Sequence, residues 1–140
     1  MTGTPLPALP YELFDCLQVN IAVLADRWHG ADTHLRLGST LRFRPVTGDD
    51  GLPSVERTAE EYLADAQRGL GITVRALHRT PAADRLRPAE GCYVVSDAYH
   101  LPWVPYFEQR HMDHSFLAEA DDVDGVQVLD GYHKDRKSVV

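Results

Sequence analysis

Cys16, His114 and Asp130 are the residues of this 140-residue chain whose types and spacing could build a nucleophilic centre. Cys16 follows Asp15, a helix-capping residue type, at the head of the most apolar run in the sequence. A thiol in a first helical turn feels the positive end of the helix dipole and nearby N–H groups, which favour thiolate and can hold an oxyanion. A free cysteine is more often a small buried hydrophobe, and position alone favours that reading. His114 opens one apolar alternating run, 114–120, and Asp130 closes the next, 126–130. Between them lies Asp121-Asp122-Val123-Asp124-Gly125, and Asp-Gly between such runs predicts a hairpin. The two residues then stand opposite each other or one diagonal step apart. The period of two puts His114 with Phe116 and Ala118, and Asp130 with Val126 and Val128. A carboxylate beside an imidazole fixes its tautomer and stabilises the imidazolium, which would stabilise a neighbouring thiolate. An exposed hairpin end carrying ordinary polar residues has the same spacing.

The elements that must position these groups follow from patterning. Asp15 to about His29 reads as a helix stopped by Gly30, with Leu17, Ile21, Leu24 and Trp28 on one stripe and Val19, Ala22, Val23 and Ala25 widening it. So apolar a helix is expected at the centre of the fold. A second, amphipathic helix is expected from a Ser54 cap to Gly69, with Val55, Ala59, Tyr62, Leu63 and Ala66 on its apolar face. Strands are expected over Thr33–Arg44, Ile72–Leu77 and Cys92–Val95, besides the two of the hairpin. The segment from Tyr99 to Asp113 is rich in Pro and aromatics and reads as an ordered loop over a pocket, with Tyr99, Trp103, Tyr106 and Phe107 as substrate-facing candidates. Residues 1–10 read as an extended lead-in and 134–140 as a flexible tail of one domain spanning 1–140. Helices first and strands gathered at the end give an α+β class.

Composition bounds the function. A net charge of −7 argues against broad capture of nucleic acid. No apolar run approaches the roughly 18 residues of a membrane span, and the start lacks the blocks of a signal peptide. Two cysteines are too few for a disulfide framework, so a reducing cytoplasm is expected. His111, Asp113 and His114 cluster, with His100 and His133 nearby, but their spacing matches no zinc ligand set, so no metal is expected. Arg36, Arg42 and Arg44 form a candidate docking stripe for an acidic partner, a pattern that a solvated strand face shares. Cys92 reads as core.

Together these residues resemble a known family. Asp15-Cys16 heading a long Ala/Leu-rich helix, His114-Ser-Phe-Leu-Ala-Glu-Ala and Val126-Gln-Val-Leu-Asp130 look papain-like. The stretch Val94-Val-Ser-Asp97-Ala-Tyr99-His-Leu101-Pro102-Trp103, followed by those two strands in this order, is similar to the N-terminal domain of the butirosin biosynthesis protein H family. The resemblance implies a papain-like α+β fold and a cysteine-dependent acyltransferase of natural-product assembly. Cys16 would take an acyl group from a phosphopantetheine thioester on an acyl or peptidyl carrier protein and pass it to an amine or hydroxyl acceptor, with no cofactor bound by the chain itself. His114 would be the general base and acid, and Asp130 the orienting carboxylate. Tyr11 and Glu12 stand upstream of the cysteine, so oxyanion stabilisation falls to Gln18 or the backbone N–H of Cys16. Water as acceptor would make a thioesterase, and an internal amine a cyclase. Two other readings stay open: a cysteine peptidase of the bacteriocin-processing type, and a catalytically inactive module that holds a carrier-bound chain.

Overall fold

The computed structural model describes residues 9, 11–38, 44–78, 92–120, 126–132 and 135–139. The described residues form an α+β arrangement of two α-helices and antiparallel sheet. Helix α1 spans Gln18–His29 and α2 spans Ala59–Leu70. A short ladder pairs β1 (Val46–Thr47) with β2 (Pro53–Ser54). The larger sheet carries β3 (Cys92–Asp97), β4 (Asp113–Ala120), β5 (Val126–Asp130) and β6 (Asp135–Val139) in that order, each antiparallel to the next. Among the described residues, no helix is long and apolar enough to cross a membrane.

Helix α1 is the centre of the packing because eight consecutive residues, Val19 to Asp26, are buried. Ile21 and Ala25 pack on Ala66 and Leu70 of α2 and on Ile72. Val23 and Leu24 pack on Leu117 of β4 and Leu129 of β5. The sheet's other face carries Phe116, Ala118 and Val128, covered by Ala98, Leu101 and Val104. That alternation follows from the two-residue period of strands. Each face of the central strands is thus closed by a different segment: α1 on one, the loop after β3 on the other.

Several expectations are corrected. Trp28 is 53% exposed and lies off the buried stripe. The second helix starts at Ala59, not after Ser54: Thr58 caps it, accepting from the Glu61 N–H while the Glu61 side chain accepts from the Thr58 N–H. Ser54 instead belongs to β2, and its hydroxyl accepts from the Glu56 N–H. Thr33–Gly38 is a 3₁₀ helix, not a strand, because the buried Asp26 carboxylate binds both the His34 N–H and its ring Nδ1 (2.9 and 2.8 Å). The stretch Ile72–Leu77 forms no strand; Ile72 is buried against the helices and Leu77 is exposed. At the other end, Asp135–Val139, expected within a tail, pairs with β5. Of the lead-in only Leu9 is described, and the turn 121–125 lies outside the described residues.

Candidate functional site

Helix α1 is opened by Asp15. Its Oδ1 accepts from the Leu17 and Gln18 N–H groups (2.9 and 2.8 Å), and its carbonyl accepts from Val19. The regular helix begins at Gln18, so Cys16 sits in the turn that Asp15 caps rather than inside the helix. The second carboxylate oxygen of Asp15 accepts a hydrogen bond from the Tyr62 hydroxyl of α2. Cys16 Sγ donates to the Asp113 carbonyl at 3.4 Å, so the thiol meets the sheet one residue before His114.

The hairpin brings His114 and Asp130 together. Leu117 faces Leu129 in the β4–β5 ladder, so Asp130 lies beside Phe116, one diagonal step from His114. His114 Nε2 is 2.7 Å from Asp130 Oδ2, with both side chains almost wholly buried. Trp103 Nε1 donates to the same oxygen at 3.2 Å, and its ring stands edge-on to Phe116 at 5.3 Å. The other Asp130 oxygen accepts from the Tyr132 N–H (3.0 Å). With Nε2 held by the carboxylate, Nδ1 is the ring nitrogen that would act on a thiol. Both side chains lie on the Phe116 face, whereas α1 packs on the Leu117 face. Cys16 meets the start of β4 at the Asp113 carbonyl, and Asp130 is near enough for its charge to act on the thiol.

Burial pushes the Cys16 thiol up to about 11, and the nearby Asp15, Asp130 and Asp113 carboxylates add to the rise. Its own backbone N–H leans on the sulfur and partly offsets them. The depressed thiol pKa that a first-turn position suggested is therefore overturned: desolvation and three carboxylates outweigh the helix terminus. At neutral pH Cys16 keeps its proton.

The remaining candidates divide. Trp103 is tied to the Asp130 carboxylate as described. Tyr99 stacks on His111 (4.3 Å, 13°), whose Nδ1 is 2.7 Å from Asp97 Oδ2. Asp97 also accepts from the Tyr99 and Met112 N–H groups, which closes the base of the loop. That His111 contact and those two N–H groups hold the Asp97 carboxyl below its usual range. Backbone bonds from Leu101, Val104, Phe107 and Glu108 order the loop, while Tyr106 and Phe107 sit at its exposed rim. Gln18 turns its side-chain oxygen back to the Asp15 N–H (3.4 Å) and lines a cleft of about 420 Å³ with Asp15, Arg36, Arg57, Tyr62 and Arg68. Arg36 thus belongs to the 3₁₀ segment beside α2, Arg44 is exposed in irregular chain, and Arg42 lies outside the described residues. The described residues of that arginine stripe share no strand. Cys92 packs half-buried against the outer core. Among the described residues, no group of three or more His, Cys, Asp or Glu side chains could hold a metal ion.

Sequence reasoning missed the polar contacts that join α1 to the sheet. Asn20 and Ser115, both fully buried, bind each other. An Asn inside an eight-residue buried run was the available signal, because a buried amide needs partners. No family model, curated protein or solved structure matches the chain.

Proposed function

We propose that the protein is a cysteine-dependent acyltransferase of papain-like architecture, with Cys16 as nucleophile, His114 as proton carrier and Asp130 as its orienting partner. The observation that carries this reading is the buried His114–Asp130 pair, placed by the hairpin one residue from the backbone carbonyl that binds the Cys16 thiol. A buried imidazole–carboxylate pair with a third donor from Trp103 on the carboxylate is a costly arrangement to keep in an otherwise apolar face. It suits proton transfer at a neighbouring thiol.

In the reaction proposed, Cys16 Sγ attacks the carbonyl carbon of a carrier-bound thioester while its proton passes to His114 Nδ1. The carbonyl oxygen gains negative charge facing the Cys16 N–H. The carrier thiolate leaves and takes the proton from His114, so Cys16 is left acylated. An amine or hydroxyl acceptor then attacks, gives its proton to His114, and Cys16 departs and is reprotonated. A thiol with a pKa near 11 calls for this removal of the proton during attack, rather than a standing ion pair. A thioester suits it because its leaving group needs little help. The two free thiols fit a reducing cytoplasm, and Arg36 and Arg44 are the described residues proposed to meet an acidic carrier.

A second reading is favoured by the same raised thiol and by the placement of His114 on the face away from α1: a module that binds a carrier-borne chain without catalysis. Incubation with acyl-N-acetylcysteamine thioesters separates the two. Intact-mass detection of an acyl adduct on Cys16, absent in Cys16→Ala and much slower in His114→Ala, supports catalysis. No adduct together with undiminished carrier binding by Cys16→Ala supports the module.

A further inference from the structure

The contact between α1 and the sheet changes character along the helix. Downstream it is apolar, Val23 and Leu24 on Leu117 and Leu129. In the first turns it is polar and directional. Asn20 Nδ2 donates to the Ser115 carbonyl (2.8 Å) and to Ser115 Oγ (3.1 Å). The Ser115 hydroxyl donates onward to the Cys16 carbonyl. The Tyr93 hydroxyl of β3 donates to the Leu17 carbonyl (2.8 Å). Finally, the Gly131 N–H donates to Asn20 Oδ1 (2.9 Å). A Cβ at Gly131 would stand 3.1 Å from Val23 and 3.3 Å from the Asn20 oxygen, so the glycine is what lets strand end and helix approach this closely.

We infer that Asn20, Ser115 and Tyr93 are positioning residues, which fix the Cys16 turn in register with the strand ends that carry His114 and Asp130. The inference rests on the catalytic reading above and goes beyond it. Apolar contact is non-directional and tolerates a slide along the helix axis, whereas hydrogen bonds do not. Buried polar groups are a poor way to gain net stability, so their concentration in one turn calls for another reason. That turn holds Cys16; Ser115 is the neighbour of His114, and Gly131 is the neighbour of Asp130. A displacement of about 1 Å between reacting groups costs on the order of 100-fold in rate, so the restraint lies where displacement matters.

The test measures the rate of Cys16 reaction with 4,4′-dithiodipyridine from pH 5 to 10, with peptide mass spectrometry to separate Cys92. Each protein is compared with its own His114→Ala counterpart, and the difference is the His114-dependent component. Ser115→Ala and Tyr93→Phe are expected to lose that component about tenfold while melting cooperatively. Leu24→Ala, which loosens the apolar part of the same contact, is expected to melt lower and keep it. Polar variants that keep the component in full overturn the inference, as does an equal loss in Leu24→Ala at an equal fall in melting temperature. A wild-type protein with no His114-dependent component overturns both the inference and the catalytic reading. A wild type that has the component but transfers no acyl group overturns the acyltransferase alone.

Discussion

The state of the Cys16 thiol can be tested before any substrate is known. Its pKa rises from 9.0 to about 11, by burial first and then by Asp15. The native protein therefore holds the proton between these values, and at any pH below 9 its thiolate is roughly 100-fold scarcer than in the unfolded chain. A more basic thiolate is also a better nucleophile, and a Brønsted slope of about 0.45 over two units returns roughly eightfold. The net expectation is that native Cys16 reacts with a neutral disulfide on the order of tenfold more slowly than Cys16 in the denatured protein, before any loss of access. Asp15→Asn removes the second-largest cause while keeping a side chain that caps nearly as well. Its pH profile should shift to lower pH, toward the unfolded chain. The assay is stopped-flow release of thiopyridone from pH 6 to 10, with and without urea, in a Cys92→Ala background. Native Cys16 reacting faster than the denatured thiol below pH 8 would refute the reasoning, since it would mean a standing ion pair despite three neighbouring carboxylates.

Other expectations follow from single contacts. His114→Ala should slow acylation of Cys16 by thioester about 100- to 10,000-fold, read by intact mass against time, because proton transfer by a placed side chain is worth that much. Leu117→Ala, at a site 1% exposed between helix and sheet, should destabilise the fold by about 2–5 kcal/mol in urea denaturation. Thr58→Ala breaks the capping box of α2 and should cost about 1 kcal/mol in the same measurement. The Asp97 carboxyl titrates below its unfolded value of 3.8, so its closure of the aromatic loop is fully present above that pH and is lost as the pH falls through the lower folded value. Amide exchange at Tyr99 and Met112, corrected for intrinsic rate, should accelerate only in that acid range.

What could be read from the sequence depended on the range of the forces involved. The hairpin was legible because period-two alternation and an Asp-Gly turn are local, and they sufficed to predict the His114–Asp130 contact to within one diagonal step. The body and the end of α1 were legible for the same reason, but the regular helix starts at Gln18 and not directly after Asp15. The start of α2 was misjudged between two capping residue types, although Thr58-x-x-Glu61 carries the reciprocal signature that Ser54 lacks. Of the Thr33–Arg44 expectation, Thr33–Gly38 misled because a carboxylate seven residues upstream of Thr33, Asp26, organises the 3₁₀ segment by binding His34, and alternation does not report that contact. Residues 39–43 lie outside the described residues. Ile72–Leu77 has strand composition but no neighbouring strand among the described residues, and strand propensity is realised only by pairing. Trp103 was read as a pocket wall, and nothing local says that its N–H reaches a carboxylate 27 residues on.

The charge around Cys16 was the least legible part and bears most on mechanism. Read alone, a cysteine behind a capping Asp looks activated, because the helix terminus is the one field visible in the sequence. The fold adds Asp113 from the strand start and Asp130 from the hairpin's far end, both distant in sequence, and leaves the thiol half-buried. The helix-terminus field is worth about 0.3–1 kcal/mol at an exposed site, equivalent to less than one pKa unit. A rise of about two units in the opposite direction shows which side wins. Asp130 holds the His114 ring at 2.7 Å, and that ring is where the proposed reaction sends the thiol proton once a carbonyl carbon is within reach of the sulfur. On this reading the site reacts slowly with stray electrophiles at rest, His114 contributing part of that slow rate, and works at full rate only with a seated acyl group. The Asp15 carboxylate is one of the groups that keep the resting rate low.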